Sequence, residues 1–286
     1  MSKLPVLTPV ELEELKKKAA ETRINIIKMI HNAASGHPGG SLSCVDILTV
    51  LYTKILKYHK NCDKDICWFD RDRFVLSKGH ASPALYATLA QVGLLEPHEL
   101  LTFRVMHSKL QGHPAYGVLS GIEASTGSLG QGLSIANGIA MGLRLDNKYA
   151  RVYALLGDGE LQEGQIWEAA MSSSHYGLNN LTAIIDRNCL QIDGSTECVM
   201  SVEPIKDKWK SFGWEVLEAD GHDFQSIFDA LNRSVIISKD KNAPVAVIAK
   251  TIKGKGVSFM EDNASWHGKA PNDEQYEKAV SELRGC

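Results

Sequence analysis

Residues 152–194 read VYALLGDGELQEGQIWEAAMSSSHYGLNNLTAIIDRNCLQIDG. The apolar run Val152-Tyr153-Ala154-Leu155-Leu156 predicts a strand, and it breaks at once into Gly157-Asp158-Gly159. Two glycines around an acid make a tight turn whose backbone can approach a ligand closely. Glu160 to Tyr176 reads as a helix closed by Gly177, and Leu181 to Ile185 as a second strand running into Asp186-Arg187-Asn188. Such a strand–turn–helix–strand unit has parallel strands and a right-handed crossover. Asp158 and Asn188 then both lie just past strand carboxyl ends, the edge on which open α/β sheets bind ligands. A carboxylate, an amide oxygen and nearby carbonyls meeting there form a hard-oxygen set suited to Mg²⁺, with positions left for phosphate oxygens and water. The expectation is an α/β fold carrying a magnesium–diphosphate site.

Composition narrows the class. The 286 residues are 44% hydrophobic and 23% charged, an ordinary balance for a folded chain in water. A net charge of −3 leaves no electrostatic footprint for nucleic acid or for an anionic membrane. No apolar run reaches the length of a membrane span, and the N-terminus MSKLPVLTPVELEELKKK lacks the apolar core of a signal peptide. The expected location is cytoplasmic. The six cysteines, at 44, 62, 67, 189, 198 and 286, form no CxxC pair and no zinc spacing, so reduced structural thiols are expected.

The flanking sequence repeats one theme. Thr8-Pro9-Val10-Glu11 is a capping box opening an amphipathic helix, which stops at Ser35-Gly36-His37-Pro38-Gly39-Gly40. A helix is predicted over Cys44–Ile55, a loop over Tyr58–Arg73 and a short strand over Arg73–Ser77. Lys78-Gly79-His80-Ala81-Ser82 then turns onto another helix, so His80 faces the anion-favouring end. Leu110–Gly132 is a long glycine-rich loop holding His113 before a proline, followed by a helix over Leu133–Leu143. Strands over Trp214–Leu217 and Ala246–Thr251 bracket a helix over Phe224–Ser238. Lys250–Gly256 is a glycine–lysine turn without Walker spacing, His267 sits in the loop after it, and a polar helix over Asp273–Leu283 follows. Finding no repeat, low-complexity tract or linker, we read 1–286 as one domain.

The strand–GDG–helix–strand–Asn pattern resembles the thiamine diphosphate signature. Together with SGHPGG, DRFVLSKGHAS, GHPAYG, TGSLGQG, GDGELQEG and SWHGK it resembles transketolase, matching that family's N-terminal, diphosphate-binding domain along nearly the whole chain. The resemblance implies a thiamine diphosphate-binding fold, a central parallel sheet with helices on both faces. It implies thiamine diphosphate and Mg²⁺ as cofactors, with Ca²⁺ or Mn²⁺ as substitutes, and Asp158, Asn188 and the Leu190 carbonyl as metal ligands. His80, Gly127, Ser128, Leu129, Gly159 and Asn188 would contact the cofactor, with Lys253 and His267 near its diphosphate and reacting carbon. His37, His113 and His267 would hydrogen-bond substrate oxygens and shuttle protons. Glu163 and Glu168 match acids that join a carboxylate chain between active sites at a dimer interface.

Departures refine this reading. Ser128 stands where the family often has proline, and Gly40 where some members have a small hydroxyl residue. Transketolases continue into a pyrimidine-binding and a third domain, which supply the activating glutamate and most arginines that grip the sugar phosphate. The expectation is an N-terminal subunit of a split transketolase, inactive alone and completed by a C-terminal subunit in an α₂β₂ heterotetramer. It would move a two-carbon ketol unit between sugar phosphates, as in the pentose phosphate pathway. Two alternatives stand beside it: a related synthase of the 1-deoxyxylulose phosphate type, against which the histidine set argues, and a non-catalytic cofactor-binding paralogue.

Overall fold

The computed structural model describes residues 4–58 and 70–285. Seven strands occur among them: β1 Arg73–Leu76, β2 Val152–Gly157, β3 Leu181–Arg187, β4 Leu190–Gln191, β5 Gly194–Ser195, β6 Glu215–Asp220 and β7 Val245–Lys250. Five make one parallel sheet in the order β1-β2-β3-β7-β6, while β4 and β5 form a small antiparallel hairpin. The register sets Gly157 beside Asp186 and Arg187 beside Lys250, so the turns after β2, β3 and β7 open on one edge.

Alternation along the strands builds two cores. Phe74, Leu76, Tyr153, Leu155, Ile184 and Val247 face helices Pro9–Asn32, Val45–Val50, Ser82–Gln91, Phe224–Lys241 and Asp273–Arg284. Val75, Val152, Ala154, Leu156, Ala183 and Ile185 face helices Gln131–Leu145, Gly164–His175 and Ile205–Ser211. Burial on both faces is why β2 and β3 read as mostly apolar runs. The expected parallel sheet with helices on both faces is what the chain forms.

Local expectations fare unevenly. The capping box at Thr8 and Glu11 forms, and the first helix runs Pro9–Asn32. The helix expected over Glu160–Tyr176 is divided: a 3₁₀ turn Gly159–Gln162, then Glu163 in extended conformation, then an α-helix Gly164–His175. The turn is wound round the Glu160 carboxylate, which accepts from the amides of Gly157 and Gly130 and from Ser77 Oγ. The expectation for 35–55 is also corrected. A helix already starts at Pro38 and runs to Ser43, and after Cys44 come Val45–Val50 and a π turn, Leu51–Ile55. Gly39 and Gly40 lie inside that helix because they are contact surfaces. A β-carbon would come within 2.9 Å of the Trp266 carbonyl at Gly39 and 3.2 Å of His80 Nε2 at Gly40.

Most of the Tyr58–Arg73 loop expectation, with Cys62 and Cys67, lies outside the described residues, as does Cys286. Cys44, Cys189 and Cys198 are free thiols. Among the described residues, no helix is long and apolar enough to cross a membrane.

Candidate active site

Four histidines far apart in the chain converge. His37 lies between the first two helices, His80 after β1, His113 in the long glycine-rich loop, and His267 at the end of a 3₁₀ turn past β7. Ring centroids are 5.3 Å apart for His37 and His80, 5.6 Å for His37 and His267, 5.1 Å for His80 and His267, and 6.4 Å for His37 and His113. Burial lowers all four pKa values, helped by neighbouring cations. His37 is brought to about 4 by burial and Arg104, and His267 to about 3 by burial and Lys253. His80 is lowered by burial and Lys78, and His113 by burial and Arg104. At neutral pH the cluster therefore presents uncharged imidazoles, each able to donate one hydrogen bond and accept another. The Nδ1 of His37 is buried without a hydrogen-bond partner.

Beneath the rings lies an ion pair absent from the sequence expectations. Lys78 donates to Asp186 and to the Gly40 carbonyl, the latter at 2.7 Å. Asp186, fully buried at the end of β3, also accepts from Ser43 Oγ at 2.6 Å, from Thr251 Oγ1 and from Asn188 Nδ2 at 3.3 Å. Burial alone would lower the Lys78 pKa; the Asp186 carboxylate outweighs it and keeps the ammonium charged. The pair ties β1, β3, the Pro38–Ser43 helix and the start of the 251–256 loop into one floor.

At the adjoining edge the proposed metal donors lie together. Asp158 accepts from the Cys189 amide at 2.6 Å and from Arg187 Nη1 at 2.9 Å, joining the turns after β2 and β3. Asn188 Oδ1 accepts from the Leu190 amide at 3.2 Å, and the Leu190 carbonyl accepts from Lys253 Nζ at 3.3 Å. Lys253 is 2% exposed, and its other partner is His267 Nδ1 at 2.9 Å. Burial, then the charge of Lys78, brings its pKa down to about 8. Among the described residues no carboxylate bonds this buried ammonium, and the Nε2 of Gln191, next in the chain to Leu190, is also buried and unpartnered. An anion carrying a hard divalent cation fits this arrangement. Its phosphates would meet Lys253, and the oxygens of Asp158, Asn188 and Leu190 would meet the metal.

The remaining predicted positions are distributed as follows. Gly127, Ser128 and Leu129 form the turn against the cluster, where Gly79 packs so tightly that its β-carbon would lie 2.6 Å from the Gly127 amide nitrogen. Gly159 opens the 3₁₀ turn, with Gln191 3.1 Å from where its β-carbon would be. Glu163 and Glu168 are exposed, and their side chains make no hydrogen bond or ion pair among the described residues; the stem of Glu163 packs beside Gly130, its Cβ 2.8 Å from where a β-carbon there would be. Glu160, Lys78, Asp186 and Arg187 were missed as site residues, although each lies inside a quoted motif.

Sequence and fold comparisons identify the family. Residues 15–284 match the family described as transketolase, thiamine diphosphate binding domain. The chain belongs to the transketolase family. It is 44% identical to a subunit of the apulose-4-phosphate transketolase of Phocaeicola vulgatus, over 96% of this chain and 95% of the relative. It is 40% identical to the 6-deoxy-6-sulfo-D-fructose transketolase subunit SqwG of Clostridium sp. (strain MSTE9), over 94% of this chain and 96% of the relative. Human transketolase is 39% identical, with 96% of this chain covering 42% of that protein. The crystal structure of Campylobacter jejuni transketolase superposes with a TM-score of 0.86 at 35% identity, over 95% of this chain and 43% of that one. Transketolase subunits are thus matched almost end to end, and whole transketolases over less than half their length. The chain is of transketolase type, with a thiamine diphosphate-binding domain.

Proposed function

We propose that this chain is the cofactor-binding subunit of a split transketolase, with 1–286 forming one thiamine diphosphate-binding domain. It transfers a two-carbon ketol unit from a phosphorylated ketose to a phosphorylated aldose. It acts with a separate C-terminal subunit, in an α₂β₂ assembly in the cytoplasm. One observation carries the reading: His37, His80, His113 and His267 meet beside a buried Lys253 that lacks a carboxylate partner among the described residues. A sugar presents many hydroxyls and one carbonyl, which neutral imidazoles can pair in either hydrogen-bonding sense. Pyruvate would need few of them, which weighs against a synthase of the 1-deoxyxylulose phosphate type.

Thiamine diphosphate supplies the electron sink for carbon–carbon cleavage when bound. Asp158, Asn188 and the Leu190 carbonyl hold Mg²⁺, and Lys253 neutralises the diphosphate. Gly127 and Gly159 let the backbone approach the cofactor, with Ser128, Leu129 and His80 lining it. His37, His113 and His267 orient the substrate oxygens and pass protons between them. Glu163 and Glu168, exposed in the isolated chain, belong to the interface between active sites. The names of the subunit relatives widen the donors to test beyond pentose phosphate sugars, to branched and sulfonated ketoses.

The test is to titrate thiamine diphosphate with Mg²⁺ into the full chain by calorimetry. The chain is then combined with a candidate partner carrying the two remaining domains, and ketol transfer is assayed from phosphorylated and sulfonated ketoses. Cofactor binding without turnover beside the true partner would favour the non-catalytic paralogue; absence of cofactor binding both alone and beside that partner would refute the site.

A further inference from the structure

The loop that carries Lys253 is gripped by a largely buried triad. Arg23, in helix Pro9–Asn32, makes a two-pronged bond to Asp46, with Nη1 to Oδ1 at 2.8 Å and Nη2 to Oδ2 at 2.7 Å. Its third donor, Nε, reaches the Lys255 carbonyl at 3.1 Å. Asp46 Oδ2 also meets His222 Nδ1 at 2.7 Å. The Ile252 amide donates to the other ring nitrogen, Nε2, at 2.8 Å. That contact settles the tautomer: Nε2 accepts, so Nδ1 carries the proton and donates to Asp46. Arg23 and Asp46 are 8% and 4% exposed and the His222 side chain 14%, so water competes little for these bonds.

The two ends fall on either side of Lys253, one residue before it and two after. Between them the backbone is held further by the Gly254 amide on the Gly39 carbonyl at 3.0 Å, and by the Asp262 amide on the Lys253 carbonyl at 3.0 Å. Gly254 has φ +79°, and a β-carbon there would lie 2.2 Å from the Met260 carbonyl oxygen, so the loop is wound tightly where the lysine leaves it. Holding a buried ammonium without a carboxylate partner is unfavourable, and an unrestrained loop would turn Lys253 outward to water.

We propose that Arg23, Asp46 and His222 are positioning residues that hold the 252–255 loop so that Lys253 meets the ligand's diphosphate. His222 acts through the Ile252 amide, with no bond of its own to Lys253. The inference rests on the reading of Lys253 as a diphosphate contact, and it assigns the device that makes that contact possible.

The test uses the full chain and three variants. His222→Ala leaves the Arg23–Asp46 pair intact and removes the acceptor for Ile252. His222→Gln restores an acceptor oxygen near the Nε2 position. Lys253→Met removes the ammonium itself. Hydrogen exchange of peptides spanning 250–256 is read without ligand, and affinity for thiamine diphosphate with Mg²⁺ and for Mg²⁺–pyrophosphate is read by calorimetry. Expected for His222→Ala is faster exchange confined to 250–256, helix 9–32 and the sheet keeping theirs, with affinity for both probes lower by about 10- to 100-fold, as for outer-shell partners. His222→Gln should recover most of both, and Lys253→Met should lose affinity without loosening the loop. Unchanged exchange in His222→Ala overturns the proposal, as does a loosened loop that binds both probes as tightly as the parent. Exchange raised throughout the chain also overturns it, because His222 would then be a general stabilising residue. If the parent binds neither probe, the reading of the site fails first and takes this inference with it; if Lys253→Met alone binds normally, only the role given to Lys253, and hence to its clamp, is lost.

Discussion

The ring of His113 lies so close to the α-carbon of Gly127 that a β-carbon there would sit 2.6 Å from the His113 Cδ2. Gly127 also has φ +136°, a conformation that residues with side chains rarely adopt. Gly127→Ala should therefore displace His113 rather than merely crowd it. The expected outcome is a fall in kcat/KM of about 100-fold, the scale of an ångström-sized misplacement in an active site. Steady-state kinetics of the assembled enzyme would show it. Gly142→Ala is the control: nothing lies within 4 Å of its β-carbon inside helix Gln131–Leu145, so activity should hold while stability rises by about 0.5–1 kcal/mol.

The Lys78–Asp186 pair predicts a stability effect separate from chemistry. Lys78→Met leaves a fully buried carboxylate with two hydroxyls and an amide but no cation. Breaking one side of such a pair costs about 3–5 kcal/mol. Ser43→Ala removes one neutral donor to the same carboxylate and should cost about 1–3 kcal/mol. Denaturant unfolding of the two variants would rank them; equal midpoints would contradict the ion-pair assignment.

Acid should unfold the chain through the histidine cluster. An unfolded histidine titrates near 6.5, whereas His37 titrates at about 4 and His267 at about 3 in the fold. Between those values the unfolded chain binds more protons than the folded one. Stability therefore falls as pH drops from about 6.5 towards 3 and levels off once both folded histidines protonate as well. Melting temperatures across this range, for the parent and for His37→Gln with His267→Gln, provide the measurement. The double variant should lose part of the slope, and an unchanged slope would remove the cluster as its cause.

Asp158 couples the metal proposal to a single side chain. Asp158→Ala removes a hard-oxygen donor and also takes the acceptor from the Cys189 and Gly159 amides, while Arg187 keeps Thr196, Glu197 and Glu203. Affinity for thiamine diphosphate with Mg²⁺ should drop by more than about tenfold. Chelating the metal from the parent should reproduce much of that loss, while adding little to the loss in the variant. Cofactor binding by Asp158→Ala indistinguishable from the parent, with or without chelator, would refute the proposed metal shell.

The strands of the sheet were legible because burial on both faces leaves mostly apolar runs, as in Val152–Leu156 and, broken only by Thr182, Leu181–Ile185. The histidine loops were legible because glycine and proline beside His37, His80 and His113 mark displayed turns. The split of the 160–176 helix was hidden, because Glu160 looks like any helix-surface acid until Ser77 and Gly130 are brought to it, 83 and 30 positions away in the chain. Lys78 and Asp186 are separated by 108 positions, and Asp46 and His222 by 176. Neither residue of either pair carries a local pattern that names its partner.

The amino-acid order alone determined the α/β class, the edge on which the turns gather and the residue types offered there, because turn chemistry and strand periodicity act over a few positions. Which acids and bases are buried together was decided only by the tertiary structure. Burial strengthens a charge pair and shifts a histidine by removing water, and water is removed by neighbours that meet only after the sheet has assembled.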